Sequence, residues 1–306
     1  MVSRMSDEDI WRLNRGGHDP HKVFSAFDAA TKHEGQPTVI LAKTIKGYGL
    51  GHVAQGQNPA HQQKKLDLDS IREFRDRFNI PVPDDQLENI PYFKPSEDSP
   101  EMVYLHERRK ELGGYLPKRR THADEKLTVP ALEVFRPVLD PTPEGREIST
   151  TQAFVRALNQ VLRDKEIGPR VVPILADESR TFGMEGMFRQ IGIYAPEGQK
   201  YTPVDKDQVM YYKESSNGQL LQEGINEAGA FSSWIAAATS YSTNNRIMIP
   251  FFIYYSMFGF QRIGDLAWAA GDMQARGFLL GGTAGRTTLN GEGLQHEDGH
   301  SHLLSS

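Results

Sequence analysis

The second half of the chain alternates short apolar blocks with longer segments in which apolar residues recur at helical spacing. The apolar blocks have the length of buried strands rather than of helices. They occupy residues 171–176, 247–254 and 277–280, and the helical segments occupy residues 149–162, 223–241 and 260–273. Strands that alternate with helices pair in parallel, so this half predicts an α/β fold with a parallel sheet flanked by helices.

The start of the chain carries a single helix–strand step. Residues 20–34 predict a helix that stops at Gly35, and residues 38–42 predict a buried strand. A Gly-rich loop follows at residues 46–52, and Asp69 is predicted to cap a short charged helix. This order is typical of the last helix and strand of another open sheet.

Proline interrupts the chain between these two parts. Between residues 79 and 147 the apolar pattern decays and prolines recur among charged residues. Such a composition predicts a long linker, here with one helix near residues 102–112. Both ends of the chain lack the elements that would close a domain, so we expect an internal piece of a longer protein.

Composition narrows the class of protein. The 35 basic and 40 acidic residues give a formal charge of −5 without a basic stripe, which argues against nucleic acid as a partner. The absence of cysteine excludes disulfides and thiolate chemistry. No apolar stretch has the length of a membrane span or of a signal peptide core, so we expect a cytoplasmic enzyme or part of one.

Polar residues collect where the predicted strands end. In parallel α/β sheets, functional groups gather just past the carboxyl ends of the strands. The groups at those ends are Lys46 with the loop through His61, then Asp177 and Glu178, then Tyr255 and Phe258, and finally residues 290–300, here called the His-rich loop.

The His-rich loop permits three interpretations. His296, His300 and the nearby His302, with Glu297 and Asp298, are residue types that bind zinc or iron. The same groups suit acid–base chemistry or substrate contact, and they also occur in ordinary polar loops. His296 and His300 do not form the helical His-Glu-x-x-His pattern. Spacing alone leaves the three interpretations open.

Two further features have ordinary structural explanations beside the functional one. Glu227 lies near the start of an apolar helix, where a carboxylate is stabilised by the helix dipole by about 0.3–1 kcal/mol. The Gly-rich loop lacks the lysine spacing of phosphate-binding loops. Tyr255 and Phe258 suit a core as well as a cofactor contact. Only their convergence at one sheet edge favours a site.

Five runs of residues together resemble one enzyme family. They are LNRGGHDP at 13–20, KTIKGYG at 43–49, ADESRTFGMEG at 176–186, QEGINE at 222–227 and LNGEGLQHEDGH at 289–300. These runs resemble the first component of homodimeric bacterial pyruvate dehydrogenases, which uses thiamine diphosphate, and the resemblance covers essentially the whole chain. It implies a transketolase-like thiamine-diphosphate-binding fold, incomplete at both ends of this chain.

The resemblance divides the chain into three parts. Residues 1–65 would be the C-terminal end of the diphosphate-binding domain, residues 66–146 a Pro-rich interdomain linker, and residues 147–306 a truncated pyrimidine-binding domain. Magnesium and the diphosphate would be bound by residues of the family that precede this chain. The family's Gly-Asp-Gly metal motif is absent here, so no metal ligand is assigned and Asn244-Asn245 are interpreted as helix-end residues.

The cofactor contacts are assigned residue by residue from the resemblance. Glu227 corresponds to the carboxylate that hydrogen-bonds the aminopyrimidine ring, and an apolar pocket is expected to raise its pKa. Phe258 would stack on that ring, Ile225 would support the bent cofactor, and Asp177 would be a further contact.

The catalytic assignments follow in the same way. Tyr255, His296, Lys46 and Glu178 match groups around the substrate-derived adduct, as donors or proton carriers. His61 matches a loop residue that assists transfer to the lipoyl group. Under this interpretation the His-rich loop moves protons rather than binds metal.

The implied activity is oxidative decarboxylation of pyruvate with acetylation of the lipoyl domain of dihydrolipoamide acetyltransferase. Each site would be shared with a second identical subunit, so we expect the chain alone to be inactive. Three alternatives remain: a non-catalytic association module derived from the enzyme, a metal hydrolase built on the His-rich loop, and a relative that acts on 2-oxoglutarate.

Overall fold

The computed structural model describes residues 2–12, 16–115, 120–176, 179–204, 206–207, 211–282 and 296–306. The chain forms two compact units, Met1–Tyr115 and Leu116–Ser306. Each unit is described by itself. The division lies inside the predicted linker, whose boundaries at 66 and 146 remain a prediction.

The first unit is built from helices and irregular chain. Its helices are α1 (Asp7–Arg12), α2 (Pro20–Lys32), α3 (Leu68–Arg77) and α4 (Pro100–Glu111), with short 3-10 turns at Val2–Arg4, Gly16–His18, Asn58–His61 and Asp84–Asn89. Side-chain oxygens of Asp19, Asp67 and Ser99 cap α2, α3 and α4 by accepting backbone N–H groups of the first turn. The cap of α3 is therefore Asp67, and the prediction of Asp69 was wrong by two residues.

The predicted strand at residues 38–42 does not form. These residues lie in irregular chain, and the side chain of Leu41 is 92% exposed. A strand is defined by hydrogen bonds to a neighbouring strand, and the described residues of this unit contain no strand to pair with. The apolar composition alone therefore overpredicted a strand here.

The second unit contains every strand of the described chain. The strands are β1 (Val171–Leu175), β2 (Ile193–Tyr194), β3 (Glu214–Ser215), β4 (Leu221–Gln222), β5 (Ile249–Tyr255) and β6 (Phe278–Gly282). The helices are α5 (Arg136–Leu139), α6 (Thr150–Arg163), α7 (Gly186–Gln190), α8 (Glu227–Ala238), α9 (Ser240–Thr243), α10 (Phe260–Asp272) and α11 (Ser301–Leu304). Short 3-10 turns occupy Leu132–Phe135, Gly168–Arg170 and Ser256–Phe258.

The main sheet has four parallel strands in the order β4-β1-β5-β6. The carboxyl ends of these strands therefore meet at one edge. The three long strands and the helices between them confirm the prediction of a parallel α/β sheet. The two-residue strand β4 and the small parallel pair β2–β3 were not predicted, because they are too short to show a period.

Alternating side chains of the central strands pack into two separate apolar layers. On one face, Val171, Leu175 and Phe251 contact residues of α6 such as Leu158. On the other face lies a second layer, made of Ile174, Phe252 and Tyr254 from the strands and Phe231, Trp234 and Ile263 from α8 and α10. Strands of a sheet that is covered on both faces have continuous apolar sequences, which is the pattern seen here.

No helix of the described residues is long and apolar enough to cross a membrane.

Candidate functional site

Aromatic rings gather at the carboxyl end of β5. The ring centroids of Tyr255 and His296 lie 5.6 Å apart, and His296 meets Phe258 edge-on, also at 5.6 Å. Tyr255 lies 6.2 Å from Phe258 and 5.3 Å from Phe182. We call Phe182, Tyr255, Phe258 and His296 the aromatic cluster. The structure thus brings together three predicted site residues from separate parts of the sequence.

Glu227 lies at the start of α8, the helix that packs on the other face of the sheet. Asn226 caps this helix by accepting the Gly229 N–H at 3.0 Å, so Glu227 is held in the first turn. Its side chain is only 10% exposed, and Oε1 accepts a hydrogen bond from Arg262 Nη1 at 2.6 Å. A buried carboxylate is therefore presented beside the start of α10.

Arg262 connects Glu227 to the aromatic cluster. Its guanidinium carbon lies 4.5 Å from the centroid of the Phe258 ring, a cation–π contact. The pocket around Glu227 is therefore not the apolar one that the sequence predicted, because it contains a cation. Sequence reasoning missed Arg262. The available signal was a cation in the first turn of α10, where the helix dipole disfavours positive charge unless a carboxylate lies nearby.

Replacing Arg262 with methionine is expected to destabilise the chain by about 1–2 kcal/mol, because Glu227 is left as a buried charge without its partner. Arg262 is 45% exposed, so solvent screening keeps the effect below that of a fully buried pair. Urea unfolding of the single variants and of Arg262→Met/Glu227→Gln measures the coupling. Strictly additive effects of the two substitutions would contradict the pairing.

Asp298 anchors the last residues of the His-rich loop to the end of β5. Its carboxylate accepts hydrogen bonds from the Ser256 hydroxyl and from the backbone N–H groups of His300 (2.9 Å) and Ser301 (3.1 Å). Burial by itself disfavours ionisation of Asp298, but these hydrogen bonds outweigh it and hold the pKa well below its usual range. Burial and the nearby Asp298 charge raise the pKa of Tyr254 to about 12.

The stabilising effect of Asp298 should disappear only in acid. Because the folded-state pKa is depressed, the ionised carboxylate stabilises the fold above the unfolded-state pKa of about 3.9, and this stability is lost as pH falls through the lower folded-state value. The difference in urea midpoint between the wild type and Asp298→Asn should therefore be constant from pH 8 to pH 5 and shrink at pH 3. A difference that grew in acid would contradict this assignment.

Two predicted site residues of the first unit also meet. Lys46 Nζ lies 2.5 Å from His61 Nδ1. An ammonium can only donate, so Nδ1 of the His61 ring is the acceptor in this contact. The Gly56 N–H donates to the Lys46 carbonyl oxygen at 2.9 Å and closes the intervening loop. Gly47 has a φ of +74°, and a Cβ there would lie 2.8 Å from the Ala54 carbonyl oxygen, so this turn requires glycine.

Comparison with known proteins identifies the family. The family model described as "Pyruvate dehydrogenase E1 component middle domain" matches residues 139–306. The chain belongs to the pyruvate dehydrogenase E1 component family. This match confirms the resemblance for the three runs at 176–186, 222–227 and 289–300, which lie within the matched residues.

Curated relatives align along the whole chain. The pyruvate dehydrogenase E1 component of Cupriavidus necator is 68% identical over 304 residues, which cover 99% of this chain and 34% of the relative. Those of Pseudomonas aeruginosa and Escherichia coli K12 are 66% and 64% identical, and each alignment also covers 34% of the relative. The chain spans about a third of the length of the curated relatives it matches.

The other predicted site residues of this pyruvate dehydrogenase E1 family member are not part of the aromatic cluster. Asp177 and Glu178 lie outside the described residues, as do residues 283–295 of the region that leads into His296. Ile225 is described and is 77% exposed, just before the start of α8. It therefore presents an apolar side chain to solvent beside Glu227.

The asparagine pair of this E1 family member has a structural role. Asn244 follows α9, and Asn245 has a φ of +55°. The Asn245 side chain accepts the Asp124 N–H at 3.0 Å and donates to the Asp124 carboxylate at 2.8 Å. These helix-end residues precede β5 and therefore lie at the opposite end of the strand from the aromatic cluster. In the described part of the chain no group of three metal-ligating side chains occurs.

Proposed function

We propose that this chain supplies the aminopyrimidine side of a thiamine-diphosphate site in a pyruvate dehydrogenase. The observation that carries the proposal is the arrangement of Glu227, Arg262 and Phe258 at the carboxyl edge of the sheet, next to Tyr255 and His296. Membership of the E1 family supports the same reaction. The proposed activity is oxidative decarboxylation of pyruvate with reductive acetylation of a lipoyl group.

The residues present fit the aminopyrimidine group. Such a ring needs an acceptor for a ring N–H and a flat surface on one face. Glu227 offers a buried carboxylate. The half-buried Phe258 offers an aromatic ring, and both side chains contact the Arg262 guanidinium. A carboxylate has about four lone-pair sites, so Glu227 accepts a further N–H without losing Arg262. Ile225 offers exposed apolar surface close by in sequence.

The side chains have distinct roles in the proposed reaction. Thiamine diphosphate, when bound, supplies a nucleophilic carbon and an acceptor for the electron pair that carbon dioxide leaves behind. Glu227 accepts the ring N–H, exchanges that proton with the ring and orients the ring. Tyr255 donates from its hydroxyl to the substrate oxygen, and His296 carries a proton at its imidazole. Glu178 and Asp177 are proposed to contribute further polar contacts.

The acetyl transfer involves the first unit. The acetyl group forms a thioester with one sulfur of the lipoyl disulfide, the two electrons of decarboxylation reduce that disulfide, and the second sulfur leaves as a thiol with one proton. The His61 imidazole, with Nδ1 held by Lys46, has Nε2 available to exchange that proton. The proposed partner is the lipoyl domain of dihydrolipoamide acetyltransferase.

The complete site needs more than this chain. We propose that magnesium and the diphosphate are held by residues that the longer relatives contain, and that a second identical subunit completes each site. Exposed apolar side chains support extensive association: Trp268 on α10 is 79% exposed, and Phe24 and Phe27 on α2 are also exposed. We propose that the protein works in the cytoplasm, and that the chain alone does not turn over pyruvate.

A hybrid enzyme tests the proposal. The corresponding third of the Cupriavidus necator E1 component is replaced by this chain, and formation of acetyl-lipoyl from pyruvate is measured with thiamine diphosphate and magnesium. The hybrid is expected to be active and the 306-residue chain alone inactive. A folded, cofactor-loaded hybrid that did not consume pyruvate would contradict the proposed function.

A further inference from the structure

Three members of the aromatic cluster come from two segments that are remote in sequence. Tyr255 and Phe258 belong to the end of β5 and the turn that follows, whereas His296 comes from the His-rich loop. The His296 ring touches both aromatic residues, and ring contacts of this kind tolerate several orientations. Polar contacts made by the residues that follow His296 therefore matter for its placement.

Ser256 offers a fixed point at that end. It follows the last residue of β5, and its side chain is buried. Tyr255 is registered against Gly282 of β6, and a Cβ on the neighbouring Gly281 would lie 3.0 Å from Ser256 Cβ and Oγ. The backbone of β6 therefore packs directly on Ser256 and restricts its movement.

Two hydrogen bonds join Ser256 to Asp298 and Ser301 in opposite directions. The Ser256 hydroxyl donates to the Asp298 carboxylate, and the Ser301 hydroxyl donates to the Ser256 carbonyl oxygen at 3.1 Å. The other Asp298 oxygen accepts the N–H groups of His300 and Ser301. Asp298 thus uses both oxygens to hold residues 298–301 at Ser256.

The short separation of His296 and Asp298 along the chain means that fixing one residue restricts the other. Two residues of chain span at most about 7 Å, so fixing Asp298 restricts His296 to the immediate surroundings of Ser256 and hence of Tyr255. We propose that Asp298 is a positioning residue that holds the His296 imidazole against Tyr255 and Phe258 by tying the chain at residues 298–301 to Ser256. The catalytic importance of this placement rests on the proposed function, but the placement itself does not.

The geometric test needs neither cofactor nor substrate. In the 306-residue chain, nuclear Overhauser cross-peaks are recorded between the His296 ring and the Tyr255 ring. The ring signals are assigned by comparison with the spectra of His296→Gln and Tyr255→Phe. The cross-peaks are expected in the wild type, lost in Asp298→Ala, and partly restored in Asp298→Asn, whose amide oxygen still accepts. Asp265→Asn, an exposed carboxylate on α10, is the matched control and should keep them.

Methyl signals of Ile174 and Leu175, which are fully buried in β1, report whether each variant is folded. If Asp298→Ala fails to fold, the same cross-peaks are measured in Ser256→Ala. This variant removes the hydroxyl that donates to Asp298 and leaves the sequence around His296 unchanged. Loss of the cross-peaks with unchanged methyl signals supports the proposal. Cross-peaks at wild-type intensity in the folded variant would overturn it.

Kinetics of the hybrid enzyme separate positioning from general loss of structure. Asp298→Ala is expected to lower kcat about 100-fold, the size of effect that follows a misplacement of about 1 Å, while KM for pyruvate stays near its wild-type value. A merely structural role would reduce the amount of folded enzyme and leave kcat per folded site unchanged. If the cross-peaks are lost but kcat is unaffected, the anchor is established and the catalytic role proposed for His296 is wrong.

Discussion

Glu227→Gln is expected to lower kcat for pyruvate in the hybrid enzyme by about 10²–10⁴-fold, the usual contribution of a positioned acid–base group. Glutamine has nearly the same shape and still accepts from Arg262, but it cannot carry the proton that the proposed reaction requires. The side chain is 10% exposed, so water is poorly placed to replace it. Steady-state kinetics at saturating thiamine diphosphate and magnesium measure the effect.

The matched control for this variant is Asp272→Asn. Asp272 is an exposed carboxylate at the last position of α10, remote from the first turn of α10 that carries Arg262. Its substitution should leave kcat unchanged. A Glu227→Gln enzyme that retained kcat within a factor of a few, while folded and loaded with cofactor, would remove Glu227 from the mechanism.

Phe252→Ala is expected to destabilise the second unit by about 3–5 kcal/mol, a large part of the total for a typical domain. Phe252 lies in the centre of β5, is fully buried, and packs against Phe231 at 6.0 Å and Tyr254 at 5.0 Å. Its removal leaves a cavity between the sheet and α8 that the rigid strands cannot close. Urea unfolding followed by circular dichroism measures the loss.

Trp268→Ala provides the comparison for Phe252. Trp268 is an aromatic residue of α10, but it is largely exposed, and alanine favours helices. Its effect on the free energy of unfolding should stay within about 0.5 kcal/mol. Equal losses for the two variants would show that burial does not govern stability here in the way the two apolar layers imply.

The sequence was most informative where long segments repeat one period. The apolar block that became β5 and the helical spacing that became α6 and α10 predicted their elements to within a few residues. Ser149 is the first residue of the predicted segment 149–162 and caps α6, because its hydroxyl accepts the Gln152 N–H at 3.1 Å. These features depend on local sequence and on burial, and both can be read from the chain itself.

The predictions were weaker where an element depends on a partner. Residues 38–42 have strand composition, but the described residues of their unit include no strand to pair with. Strand β4 forms only because β1 lies beside it, with Leu221 registered against Ile174. A two-residue strand has no readable period, so tertiary pairing alone reveals it.

The candidate site shows the same division. The strand-end rule placed Tyr255 and Phe258 at the functional edge, and the family motifs added Glu227 and His296. Arg262 was missed because its importance comes from contact with Glu227, which lies 35 residues earlier in the chain. The sequence showed Asp298 only as one of several polar residues in the His-rich loop. Its hydrogen bond to Ser256 joins residues that lie 42 positions apart, so nothing near Asp298 in the sequence indicates it. Long-range polar contacts of this kind leave no local pattern.

We expect Glu227 and Phe258 to receive the aminopyrimidine ring of thiamine diphosphate. A crystal structure of the hybrid enzyme with thiamine diphosphate and magnesium measures this directly. It should show a hydrogen bond between the Glu227 carboxylate and the aminopyrimidine ring, with the Phe258 ring stacked on that ring. A cofactor bound with its aminopyrimidine ring away from both residues would contradict the proposed site.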